Sequence, residues 1–156
     1  MTAMLLASIN HSDSATLSSR INDAPMATIA LLREIVGVSR RTSPRQNVRA
    51  VRIERLISAG AFAEAALALI DLELPEWRLR RITYDGGEWY CTLSRARELP
   101  DWLDQSTEVH HHDLALAILS AFVEAQCASV SKRRPSVPTV NREVDVVYAQ
   151  TCDNFA

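Results

Sequence analysis

The sequence predicts an α+β fold in which an antiparallel β-hairpin packs against flanking helices. Two alternating runs over Trp77–Leu93 flank Asp85-Gly86-Gly87, and such residues supply the positive φ angles that tight hairpin turns require. Apolar residues recur at helical spacing on both sides of that hairpin. An isolated two-stranded hairpin is only marginally stable in water, and the apolar helix stripes also need cover, so packing one on the other meets both demands. The expected order is α-α-β-β-α, with a third strand as an extension of the hairpin.

Residues 1–24 are expected to form a flexible arm, because Ser8 to Ala24 is rich in Ser, Asn, Asp and Thr with little periodicity. A short helix then starts with Pro25 near its first turn, carries Ile29, Leu32, Ile35 and Val36 on one side, and meets a stop at Gly37. After the polar connector Ser39–Pro44, a helix from about Arg45 to Ser58 turns Ile53, Leu56 and Ile57 inward. Gly60 interrupts it, and a second helix, rich in Ala and Leu, runs from Ala61 to about Leu72 and ends at Pro75.

In the hairpin, either Tyr84 opposes Trp89 and Ile82 opposes Cys91, or a turn one residue earlier sets Ile82 opposite Trp89, and the same residues share a face in both. Tyr84, Ile82, Trp89, Cys91 and Leu93 therefore share an apolar face, with Arg81, Thr83, Tyr90 and Thr92 opposite. Arg78 and Arg80 nominally fall on the apolar face, so they lie beyond its edge or a bulge turns them outward. Leu99–Leu103 reads as a turn with apolar anchors. The last helix spans about Val109 to Ala128 and carries Leu114, Ala115, Ile118, Leu119, Phe122 and Val123 as a broad stripe. One domain over 25–130 results. Residues 131–156 form a tail, with Lys132–Pro138 as a linker and alternating Val144, Val146 and Tyr148 as a short strand or a trailing segment.

A length of 156 residues suits one domain, and a hydrophobic share of 47% is that of a globular protein. A net charge of −2 argues against a nucleic-acid coat or a polybasic membrane binder. Lys132 is the sole lysine, and an arginine excess suits bidentate phosphate or carboxylate recognition as well as a GC-rich coding sequence. Three cysteines, an odd number without C-x-x-C, indicate reduced thiols in a cytoplasm rather than a disulfide framework or a zinc ribbon. No apolar run approaches the ~20 residues of a membrane span. The opening residues lack a basic region, so no signal peptide is expected.

The runs Ile53–Gly60, Leu69–Trp77, Gly87–Ser94 and Ala117–Ala125 resemble small uncharacterised alphaproteobacterial proteins over roughly the middle half of the chain. The resemblance implies a bacterial origin and a fold-level pattern, and brings no activity or site with it. The topology bears a looser likeness to phage-type α-β-β-α sandwich domains.

Four groupings bear on chemistry. His110-His111-His112-Asp113 invites a metal, yet consecutive helical residues point ~100° apart, and no i, i+3 or i, i+4 ligand pair occurs. The run reads as a polar helix N-terminus with Asp113 favoured by the helix dipole, so no metal or cofactor is expected. Arg40, Arg41, Arg45, Arg49, Arg52 and Arg55 face only Glu54 between Ser39 and Ser58. Arg45, Arg49 and Arg52 form a ridge able to track phosphates, with Arg78, Arg80 and Arg81 nearby, while Glu64, Asp71, Glu73 and Glu76 can neutralise them. Trp77, Trp89, Tyr84, Tyr90 and Trp102 read mainly as core, with Tyr90 and Arg81 marking an outward contact surface. No catalytic motif occurs, and the hairpin pattern buries Cys91 away from any histidine partner.

The sequence therefore points to a non-catalytic bacterial domain acting through protein contacts. The partner is another protein or a second copy of the chain, met at the hairpin edge or the Val109–Ala128 helix. The alternative is a regulatory nucleic-acid-binding protein that uses Arg41, Arg45, Arg49 and Arg52.

Overall fold

Caps and turns set the boundaries of the elements. The computed structural model describes residues 11–40, 47–95 and 105–131. Within them lie helices α1 (His11–Asp23), α2 (Ile29–Arg40), α3 (Asn47–Ser58) and α4 (Phe62–Glu73), strands β1 (Arg78–Asp85), β2 (Glu88–Ser94) and β3 (Ser106–His111), and helix α5 (Leu114–Ser131). The architecture is α+β, but four helices precede the strands where the expected order has two.

Thr28, rather than Pro25, caps α2. Its hydroxyl accepts the Leu31 N–H at 3.3 Å, and its carbonyl accepts the Leu32 N–H at 3.0 Å. α2 runs through Gly37 to Arg40, because its buried side, Leu31, Leu32, Ile35 and Val36, outweighs the modest helix penalty of one glycine. α3 ends in a Schellman motif. Gly60 has φ 76°, the Ala61 N–H bonds the Leu56 carbonyl and the Gly60 N–H bonds the Ile57 carbonyl. The chain then enters α4 at once, and Pro75 follows its C-cap Leu74.

Gly86 (φ 58°) and Gly87 (φ 92°) close the hairpin as a two-residue type I′ turn between Asp85 and Glu88. Tyr84 pairs with Trp89 and Ile82 with Cys91, the first of the two expected registers. A bulge between Leu79 and Arg81 re-aims the arginines, which accounts for their nominal place on the apolar face. Tyr84 is 59% exposed all the same, because it lies at the hairpin end against the ring of Trp89.

Two expectations are corrected in the segment after the hairpin. The third strand is Ser106–His111, antiparallel to β2, giving the sheet order β1-β2-β3. The helix expected from Val109 begins only at Leu114. Thr107, Val109 and His111 alternate with Ser106, Glu108 and His110, a period of two that fits a half-buried strand. Asp113 then caps α5: its Oδ1 accepts the Leu116 N–H at 3.0 Å and its Oδ2 the Ala27 N–H at 3.3 Å. The Val144–Tyr148 strand, the Leu99–Leu103 turn, the Lys132–Pro138 linker, Trp102 and Cys152 lie outside the described residues.

The arm expected over 1–24 is a helix across residues 11–23. Ser14, Leu17 and Ile21 fall on one face and are buried, and the Ser14 hydroxyl meets the Cys127 sulfur of α5. α5 is the centre of the molecule. Leu116, Ala117, Ile118, Ala121, Phe122 and Ala125 are all fully enclosed, with β2 and β3 packed on α5 as well as α1 and α4. Trp77 seals the end, its indole N–H donating to Ser129 Oγ at 2.9 Å.

Asp113→Ala removes the α5 cap together with the link to Ala27. It should destabilise the domain by about 1–2 kcal/mol in urea unfolding, and Asp113→Asn, which keeps the capping oxygen, by less.

Candidate functional site

An antiparallel ladder uses the main-chain groups of every second residue toward a given neighbour. The Arg95 N–H donates to the Gln105 carbonyl at 3.0 Å, and the unbroken β2–β3 register carries this pattern onward. Thr107, Val109 and His111 accordingly turn their main-chain N–H and C=O toward β2. Ser106, Glu108 and His110 turn theirs away, to the sheet edge. Among the described residues no strand pairs with that edge.

The two edges of the sheet differ. β1 is bulged and carries Arg78, Arg80 and Arg81, devices that blunt an edge against further pairing. β3 has no bulge and no proline. α1 packs on α5, and a cleft of about 450 Å³ runs between it and β3, with Ser18 and Asn22 on one side, Ser120 and Glu124 on α5, and Val109 to His112 on the other.

The side chains along β3 are held in place. Glu108 accepts from Thr92 Oγ1 at 3.2 Å and pairs with Arg81 at 3.4 Å. His110 lies 3.1 Å from Glu88 and against the ring of Tyr90, with centroids 5.5 Å apart. His112 approaches the other Glu88 oxygen at 3.7 Å. His111 is buried, and its Nδ1 accepts the Asp113 N–H at 3.0 Å, which leaves the ring proton on Nε2. The hydroxyls of Thr107 and Ser120 are buried without a hydrogen-bond partner.

Because His110 and His111 are successive strand residues, their rings point to opposite faces of the sheet. Among the described residues no group of three His, Cys, Asp or Glu side chains is arranged to hold a metal ion. Cys91 lies on the α5 side of the sheet opposite Val109 and is fully buried. Burial pushes its thiol up to about 11, which disfavours the nucleophilic thiolate.

Of the residues singled out from sequence, Arg81 and Tyr90 lie on the outward face of the sheet, beside Glu108 and His110 respectively. Arg49 and Arg52 are exposed on α3 and share a cleft of about 630 Å³ with Arg78, but Glu64 and Asp71 line it too. Arg41 and Arg45 lie outside the described residues. Other charges near the ridge are paired, Arg33 with Glu54 at 2.7 Å and Arg95 with Glu76. The edge of β3 is not evident from sequence, because Val109 fits the first turn of the following helix, although the Ser106–His111 alternation and Asp113 are signals for a strand and a cap.

Comparison with protein-family models, curated proteins and solved structures finds no match for this chain. No helix among the described residues is long and apolar enough to cross a membrane.

The Cys91 thiol has an ordinary value of 9.0, against about 11 in the folded protein, so the unfolded chain releases this proton first. Its contribution to stability is complete below pH 9 and is lost as the pH rises to about 11. Urea midpoints taken across that range should fall less steeply for Cys91→Ala than for the native chain.

Proposed function

We propose that this protein is a non-catalytic interaction domain whose binding element is the edge of β3, which takes up an extended segment of a partner as an added strand. The supporting observation is the row of outward main-chain groups at Ser106, Glu108 and His110, unpaired by any described strand and opening on a cleft. Strand addition draws affinity from main-chain hydrogen bonds and specificity from alternate side chains. Here those side chains are Glu108 and His110 on one face and Val109 on the other. The free thiol of Cys91 supports a reducing, cytoplasmic setting, and the alphaproteobacterial resemblance a bacterial one.

A second reading, binding of nucleic acid or another polyanion, draws support from Arg49, Arg52 and Arg78 lining one cleft. Glu64 and Asp71 in the same cleft oppose it, since each cancels charge that phosphates need.

His110→Pro removes an outward N–H while sparing the ladder to β2, and edge strands tolerate proline at such positions. Proteins captured from a bacterial lysate by the native chain should be lost with His110→Pro, while the circular dichroism stays native. Identical captures from the two baits would overturn the reading. For the polyanion reading, Arg49→Ala with Arg52→Ala should weaken binding of mixed-sequence DNA or RNA at ~50 mM salt and flatten its salt dependence. Unchanged binding removes that cleft from consideration.

A further inference from the structure

We infer that the strand added to β3 is the β3 of a second copy, giving a two-fold dimer with a continuous six-stranded sheet. This rests on the reading of β3 as the binding edge and names its occupant. The argument is one of register and charge.

Two antiparallel copies of β3 can pair only where outward main-chain groups meet outward groups, so Ser106, Glu108 and His110 must face one another across the axis. Few registers of useful overlap satisfy this. One sets Glu108 against Glu108 of the second copy, and another sets His110 against His110. Each places like groups directly opposite, which is unfavourable for charged pairs.

Of the other two, the register centred on Thr107 overlaps only Ser106–Glu108 of the strand, and the longer one is centred on Val109. It sets Glu108 against His110 of the second copy, twice, and brings the two Val109 side chains together. Four main-chain hydrogen bonds form. Glu108 is already oriented by Thr92 and Arg81, and His110 by Glu88 and Tyr90, so little side-chain freedom is lost on pairing.

The other face of the sheet agrees with this register. Thr107 falls opposite His111 of the second copy, at a pair without main-chain hydrogen bonds, where side chains approach most closely. Thr107 Oγ1 is buried and lacks a partner among the described residues. His111 carries its proton on Nε2, because Nδ1 accepts from Asp113. The dimer supplies a donor for the orphaned hydroxyl at both ends of the new ladder. A buried hydroxyl without a partner is costly, and this arrangement removes two.

The test is charge complementation in the full-length chain, read by sedimentation velocity from ~1 to ~100 μM. The native chain should reversibly form dimers. Glu108→Lys places Lys opposite His110, and His110→Glu places Glu opposite Glu108, so each variant alone should dimerise at least ~10-fold more weakly. Mixed in equal amounts, the two should form a heterodimer of near-native affinity, since the introduced Lys then faces the introduced Glu and the other facing pair is the native Glu108 with His110. Recovery in the mixture also shows that both variants are folded. A native chain that stays monomeric throughout overturns the inference, as does a dimer that neither substitution weakens or a mixture that fails to recover. If the native chain is monomeric while His110→Pro still abolishes capture of other proteins, only the identity of the occupant is wrong. If capture is also unaffected, the edge itself is not the binding element.

Discussion

α5 is apolar on all but the narrow strip of Ser120 and Glu124, and a helix of that kind has little surface it can leave in water. From Ala115 to Ala125 its residues are enclosed except at Ser120 and Glu124, so one layer of cover is not enough. The sheet supplies one wall, and α1 and α4 supply others. This demand explains why a stretch as polar as His11–Asp23 is helical. It brings only Leu17 and Ile21 as large apolar side chains, and their burial against α5 stabilises a helix that its own composition does not favour. Trp77 closes the same core from the start of β1, tied by its indole N–H to the far end of α5.

The character of the β3 edge follows from where α5 begins. Asp113 stops the strand and starts the helix within two residues, accepting Leu116 in front and bonding back to Ala27. His111 is thereby fixed on the core side with a defined tautomer, and His110 is left on the outer face beside Glu88. β3 is thus a short, regular strand whose outer main-chain edge no described strand pairs with, whereas β1 is bulged and lined with arginine. A sheet of three strands has two edges, and only one of them is left fit for pairing.

The hairpin was legible down to which residues share each face, and the structure selects the register with Ile82 opposite Cys91. Two glycines with positive φ admit only a tight turn of the right twist, and alternation fixes which residues share a face. The arginines at 78 and 80, anomalous on that face, even announced the bulge. α3 and α4 were legible from apolar spacing and from Gly60 and Pro75. What escaped was every element whose evidence is weak locally. α1 lacked apolar weight, and Gly37 looked like a stop because α2 was judged without the contacts that hold it. Val109 marks the start of the expected last helix, since a single apolar residue at a boundary fits a helix and a strand equally well.

The sequence by itself determined the α+β class, the hairpin and its two faces, and the burial of Cys91. These depend on turn chemistry and side-chain periodicity, which act between residues close along the chain. The tertiary structure alone decided that α1 is a helix and that the third strand comes from Ser106–His111. It likewise decided that the arginine ridge shares its cleft with two carboxylates, and that β1 is bulged where β3 is regular. Each of these turns on contacts between residues distant in sequence. Whether a polar segment folds, or a main-chain edge goes unpaired, depends on what the rest of the core places beside it.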